Sequence, residues 1–149
     1  MSVALRAGVR RSPTCLPAHD NIAATEQLDL VRYHEAVAQR LAIASQWRRF
    51  HATYPVVLGP VSTQQMFPKE FDLTGPAATT ELWQAHRLLV TVNLLGLPSL
   101  ALPMGVSAEG LPEGVQLIAT TFGEAACLAA GRDIETAVGS ISPLTPVMA

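Results

Sequence analysis

The sequence predicts an α/β domain in which short buried strands alternate with helices. Two apolar runs, residues 99–104 and 115–120, are each framed by Gly and Pro, which is typical of buried strands with tight connections. Three longer segments carry apolar residues at helical spacing. The chain has 149 residues, a length that suits one domain.

The first helix is predicted over residues 28–51. It is expected to stop at Tyr54-Pro55, because proline disfavours helical backbone at the residue before it. A short buried strand, residues 56–58, should follow and close at Gly59-Pro60. The apolar residues that can share one broad face of this helix are Leu30, Val31, Val37, Leu41, Ala44, Trp47 and Phe50.

Residues 61–79 are predicted to form a long connection, and connections of this length often line functional sites. A second helix is expected over residues 79–94 and should stop at Gly96 and Pro98.

The two buried strands, residues 99–104 and 115–120, follow this helix and are joined by the glycine-rich segment 105–114. A last helix is predicted over residues 124–138. Its inward residues are expected to be Leu128, Ala129, Ile134 and Val138.

Residues 1–27 are predicted to be a loose tail, and residues 28–149 the domain. The tail carries Arg6, Arg10 and Arg11 but no acid before Asp20, which is a composition found in transit peptides. No hydrophobic segment follows, so secretion is not expected. We interpret this start as disordered or non-native.

The composition is apolar for a small domain. Hydrophobic residues make up 49% of the chain, charged residues 15%, and the mean hydropathy is +0.28. Charged residues ordinarily account for about 25%. One interpretation is a core-rich domain. The other, which we favour, is a piece of a larger core that other protein covers.

The net charge of −2 predicts no nucleic-acid or membrane partner. No apolar run reaches the roughly 18 residues of a transmembrane span. Cys15 and Cys127 lie far apart and form no metal-type or redox motif. These features predict a cytoplasmic protein.

No pattern for a catalytic or metal centre is present. His34-Glu35 lacks the second histidine of a zinc-protease motif, and Ser99 lacks the Gly-x-Ser-x-Gly spacing of a nucleophile elbow. Neither type of phosphate loop occurs. We therefore expect no metal, no cofactor and no catalytic residue in this chain.

Three segments, in order, resemble the C-terminal part of the amidase signature family of serine hydrolases. They are Arg40 with Trp47-Arg48-Arg49-Phe50 and Tyr54-Pro55-Val56-Val57-Leu58-Gly59-Pro60, then Asn93-Leu94-Leu95-Gly96-Leu97-Pro98-Ser99-Leu100-Ala101-Leu102-Pro103-Met104-Gly105, then Gly110-Leu111-Pro112-Glu113-Gly114-Val115-Gln116-Leu117-Ile118.

The resemblance implies a mixed β-sheet flanked by helices, of which this chain holds part. It also implies amide hydrolysis by a serine that a second serine and a lysine activate. The Gly/Ser-rich catalytic segment is missing, and Lys69 lies in the wrong region. We expect a C-terminal fragment that is inactive alone, while the complete parent acts on small amides.

The alternative is a non-catalytic interaction subunit or a split-amidase half. The expected partner in either case is the missing N-terminal amidase half or a second copy of this chain.

Three residues are predicted to contact substrate in the complete enzyme. His86 matches the position where the tRNA-dependent amidotransferase branch of the family has an acidic residue, so glutamine is not the expected substrate. Phe67 and Phe71, in the long connection, suit an apolar substrate. The alternative for His86 is a simple helix-surface residue.

Overall fold

The computed structural model describes residues 29–139, which fall into two compact units. One unit comprises residues 67–84, and the other comprises residues 29–66 and 85–139. The predicted tail, residues 1–27, and the segment from residue 140 onward lie outside the described residues. The described elements in chain order are α1 (Leu30–Thr53), β1 (Val56–Pro60), a 3-10 turn (Phe71–Thr74), α2 (Pro76–Ala85), α3 (Arg87–Leu95), β2 (Ser99–Val106), β3 (Pro112–Ala119) and α4 (Glu124–Val138).

Helix α1 confirms the first predicted helix. The side chain of Asp29 caps its start by accepting from the backbone N–H of Arg32 at 2.8 Å. The helix ends at Tyr54, before Pro55, as predicted. The apolar residues of this helix are largely exposed, since Leu30 is 70% exposed, and the buried residue of the helix is His51.

The three strands form one antiparallel sheet in the order β1-β3-β2. The central strand β3 aligns Leu117 with Leu58 on one side and with Leu100 on the other. Strand β2 ends later and strand β3 begins earlier than predicted, so the loop between them is shorter than expected. Gly110, with φ of 82°, adopts the left-handed conformation that this tight turn requires.

Helix α4 covers one face of the sheet and forms the core with it. Cys127 of α4 packs there with Leu102, Leu117 and Ala119. The inward face predicted for this helix is wrong in part, since Leu128 is 58% exposed and Val138 is 48% exposed. The small residues face the sheet instead, where they let the helix approach closely. They are Ala126, Cys127, Ala130 and Gly131, joined by Ile134.

Helix α3 approaches the opposite face of the sheet. Gly59 of β1 lies against Leu88, and a Cβ at Gly59 would be 2.5 Å from the Leu88 Cδ2 atom. On this face Ile118 is fully buried. Helices thus flank the sheet on both faces, which confirms the α/β class.

The second predicted helix is wrong as a single element, because α2 and α3 are separated at His86. The backbone of His86 has φ −97° and ψ 16°. Just before this break, the Ala85 carbonyl accepts from the backbone N–H and the hydroxyl of Thr63, at 3.0 and 3.3 Å. The helix also starts earlier than predicted, at Pro76, a residue suited to the first helical position.

Candidate functional site

The most enclosed polar side chain in the sheet belongs to Gln116, at the centre of β3, and it is 1% exposed. Its Nε2 atom donates to the Pro60 carbonyl oxygen at 2.9 Å, and its Oε1 atom accepts from the Ser99 hydroxyl at 3.3 Å. Gln116 therefore links both edge strands to the central one. Sequence reasoning missed this role, although a lone polar residue within an apolar strand is a visible signal.

Ser99 begins β2, and its hydroxyl donates to an amide oxygen rather than to a base. An amide group does not take up a proton near neutral pH, so Gln116 cannot activate this serine as a nucleophile. The geometry gives Ser99 a structural role at the edge of the sheet.

Lys69 lies in the unit formed by residues 67–84. Its side chain is 92% exposed, and its Nζ atom is 4.0 Å from a carboxylate oxygen of the neighbouring Glu70. Such an exposed pair contributes little to stability.

Phe67 and Phe71, two of the predicted substrate-contacting residues, are brought together in the same unit. Their rings stack with centroids 4.8 Å apart and an interplanar angle of 22°. Phe71 opens the 3-10 turn, and Thr74 closes it by donating its hydroxyl to the Phe71 carbonyl at 2.7 Å. Both rings are half-buried, so part of this apolar pair stays accessible.

His86, the third predicted residue, lies in the other unit, between α2 and α3. It is half-buried, and its carbonyl accepts from the backbone N–H of Val90 at 2.9 Å. The structure therefore places His86 at the start of α3, in non-helical backbone, and not on the surface of a continuous helix.

His51 is a buried polar residue that sequence reasoning did not single out. It is 5% exposed, and its Nδ1 atom lies 3.1 Å from the Tyr54 carbonyl oxygen. Because a carbonyl only accepts, Nδ1 is the donor of this hydrogen bond. Within residues 29–139 the buried Nε2 atom has no hydrogen-bond partner.

Cys127 is a buried free thiol in the core between α4 and the sheet. Burial raises the pKa of the Cys127 thiol, and the nearby negative charge of Glu124 raises it further. Its Sγ atom lies 3.6 Å from the Leu117 carbonyl oxygen. These surroundings favour the neutral thiol, which is a packing group and a poor nucleophile.

Two absences hold for residues 29–139. No group of three His, Cys, Asp or Glu side chains in this part of the chain is arranged to hold a metal ion. None of its helices combines the length and the apolar character that a membrane crossing needs.

Comparison with known proteins defines the class. The family model described as Amidase matches residues 12–128, which is most of the chain. The chain belongs to the amidase family, and the resemblance predicted from its three motifs is confirmed.

Curated relatives include the indoleacetamide hydrolase of Bradyrhizobium diazoefficiens, 32% identical over 116 residues, a match spanning 77% of this chain and 22% of the relative. One subunit of the glutamyl-tRNA(Gln) amidotransferase of Wolinella succinogenes is 36% identical over 107 residues, or 72% of this chain and 23% of the relative. The chain thus spans less than a quarter of the length of these two relatives, as expected for a fragment of the family fold.

A solved structure of 6-aminohexanoate cyclic dimer hydrolase complexed with substrate has the same fold over part of its length. The TM-score is 0.62 and the sequence identity 25%, with 75% of this chain and 25% of that chain covered. The architecture described above is therefore a partial amidase fold.

Proposed function

We propose that this chain forms the C-terminal segment of an amide-hydrolysing domain whose Ser-Ser-Lys centre lies in residues that it does not contain. The observation that carries the proposal is the Ser99–Gln116 hydrogen bond, which ties the candidate serine to a group that cannot act as a base. The exposed position of Lys69 supports it, because an activating lysine must be held beside the nucleophile.

Within the complete domain the proposed contribution of this chain is structural support and substrate contact. The sheet and the helices packed against it form the platform of this contribution. The stacked pair Phe67–Phe71 offers an apolar surface for an aryl or alkyl amide. His86, at the start of α3, is proposed separately as a polar contact to the substrate. The free, buried Cys127 suits the reducing environment of the cytoplasm, which we propose as the location.

The test is amide hydrolysis by the purified chain. A panel of small aryl and aliphatic amides that includes indole-3-acetamide is assayed beside the full-length Bradyrhizobium diazoefficiens relative. We expect no turnover by this chain under conditions where the relative is active. Turnover that a serine-directed inhibitor abolishes, and that Ser99→Ala removes, would contradict the proposal.

A second candidate function is a non-catalytic subunit that binds another chain. The exposure of large apolar side chains favours it, since Leu30, Leu41 and Trp83 are each more than half exposed. The neighbouring DNA discriminates between the two candidates. An adjacent reading frame that encodes a Gly/Ser-rich serine segment and its lysine supports a split enzyme, and the lack of one supports a binder.

A further inference from the structure

One face of α1 changes from buried to exposed along its length. The row of residues at alternating spacings of four and three lies on a single helix face. At its C-terminal end His51 is 5% exposed, whereas Val37 is 37% exposed and Tyr33 is 56% exposed. The complete row is Tyr33, Val37, Arg40, Ala44, Trp47 and His51.

Helix α1 contacts α3, and a hydrogen bond joins the two helices at Arg40. The Nε atom of Arg40 donates to the Leu94 carbonyl oxygen at 2.6 Å, at the C-terminal end of α3. Beyond Arg40, toward the helix N-terminus, the described residues 29–139 leave the apolar side chains of the row, Tyr33 and Val37, exposed. The same face therefore packs on protein at one end and is uncovered at the other.

Four residues make up the uncovered part, named here the overhang patch: Leu30, Tyr33, Val37 and Leu41. Leu30 is 70% exposed and Leu41 is 57% exposed, and both lie beside the row on the helix surface. Apolar residues at i, i+3, i+7 and i+11 are the pattern by which a helix docks into another protein surface. An isolated domain gains nothing from keeping such a face in water.

We infer that the overhang patch is the docking face for the remainder of an amidase fold, a polypeptide that lays an apolar surface along the N-terminal half of α1. The inference rests on the proposed function. The occupant is inferred from the share of the fold that this chain represents. The chain corresponds to only 22% of the indoleacetamide hydrolase and 25% of the solved hydrolase chain. The family match also includes all of α1, so the helix belongs to the shared fold.

The experiment measures thiol labelling at two helix positions with similar exposure. Tyr33→Cys places a thiol in the overhang patch, and Val31→Cys is the matched control. Val31 is 66% exposed, and although it can share a broad face with Leu30, a two-residue step places it on the opposite side of the helix from Tyr33. Both variants carry Cys15→Ser, and the remaining Cys127 is 2% exposed and should label slowly.

Labelling rates are compared in two settings. The first is the whole chain alone, at several concentrations. The second is a chimera in which this whole chain replaces the matched segment of the Bradyrhizobium diazoefficiens indoleacetamide hydrolase. We expect labelling at position 33 to slow by about tenfold or more in the chimera, while labelling at position 31 changes by less than about twofold.

The outcomes separate this inference from the proposed function. A soluble chimera that hydrolyses indole-3-acetamide but labels equally at both positions overturns the docking face alone. A chimera that yields no soluble folded protein counts against the proposed function and this inference together. Slow thiol labelling at position 33 relative to position 31 in the chain alone also overturns the inference. If the slow labelling does not depend on protein concentration, another part of this chain covers the face. If it depends on concentration, a second copy of the chain covers it.

Discussion

The side-chain amide of Gln116 is hydrogen-bonded to the backbone of Pro60, 56 residues away in sequence, at a distance of 2.9 Å. This bond adds to the backbone ladder between β3 and the edge strand β1, where Pro60 pairs with Val115. Because the Gln116 side chain is buried, its amide must find partners inside the protein. Pro60 and Ser99 are those partners, which makes Gln116 a cross-link of the sheet.

Replacing Gln116 by leucine should destabilise the chain. The change removes two side-chain hydrogen bonds and leaves the Pro60 carbonyl without this donor, so we expect a loss of about 1–3 kcal/mol in the free energy of unfolding. Urea denaturation followed by circular dichroism measures it. Ser99→Ala, which removes the longer bond alone, is the control and should cost less. An unfolding midpoint for Gln116→Leu equal to that of the unmodified chain would refute the cross-link.

Replacing Arg40 by methionine should loosen the contact between α1 and α3. Arg40 donates to a carbonyl in the last turn of α3, where a cation also interacts favourably with the helix dipole. Losing both effects, with the aliphatic part of the side chain kept, should cost about 1–2 kcal/mol. Arg49→Met, an exposed site on the same helix, is the comparison. Equal unfolding curves for the two variants would show that the Arg40 bond contributes nothing.

Two glycines next to the sheet should respond differently to alanine. A Cβ at Gly123 would lie 2.7 Å from the Thr120 carbonyl oxygen and 2.8 Å from the Ala119 Cβ, and the backbone atom cannot move away easily. We expect Gly123→Ala to cost about 1–3 kcal/mol. At Gly131 the near atom is the tip of Leu100, which can shift, and alanine favours the helix there. Gly131→Ala should therefore cost less, and thermal melts of both variants decide the order.

The Cys127 thiol should make stability depend on pH in the alkaline range. Burial, and then the charge of Glu124, raises its pKa in the folded chain, so the folded state keeps the proton while the unfolded state releases it at the ordinary pKa. The contribution is complete below that ordinary pKa and is lost as the pH rises above it. The measurement is the free energy of unfolding from pH 7 to 10 for the chain and for Cys127→Ala. The free energy of unfolding should fall more steeply with pH for the chain that has Cys127 than for Cys127→Ala. Parallel profiles would contradict the raised pKa of Cys127 in the folded chain.

The Phe67–Phe71 pair should affect substrate binding in an active chimera. If the stacked rings contact an aryl amide, Phe71→Ala should raise KM for indole-3-acetamide by about 3- to 10-fold, the range expected for one lost aromatic contact. Leu128→Ala, an exposed apolar residue on α4, controls for general loss of apolar surface. A KM that both substitutions leave unchanged would remove Phe71 from the proposed contacts.

Most element types and positions could be predicted from local sequence. Helix α4 begins and ends at the predicted residues, and β1 begins at Val56 as expected. The interruption at His86 could not be predicted, because the hydrogen bond from Thr63 to the Ala85 carbonyl depends on a loop 22 residues away in sequence. The inward face of α4 was mispredicted for a related reason. Hydrophobicity favoured Leu128, but close approach to the sheet requires the small side chains of Ala130 and Gly131.

The order of helices and strands, their approximate ends and the family resemblance follow from the sequence, because periodicity, glycine and proline act on neighbours a few residues apart. The tertiary structure decided which buried polar groups find partners. Gln116 meets Pro60 through the register of β3 against β1, and Arg40 meets Leu94 across 54 residues through the packing of two helices. It also decided that, within residues 29–139, the apolar residues at the start of α1 are exposed, since burial depends on which other residues lie nearby in space and not on local spacing.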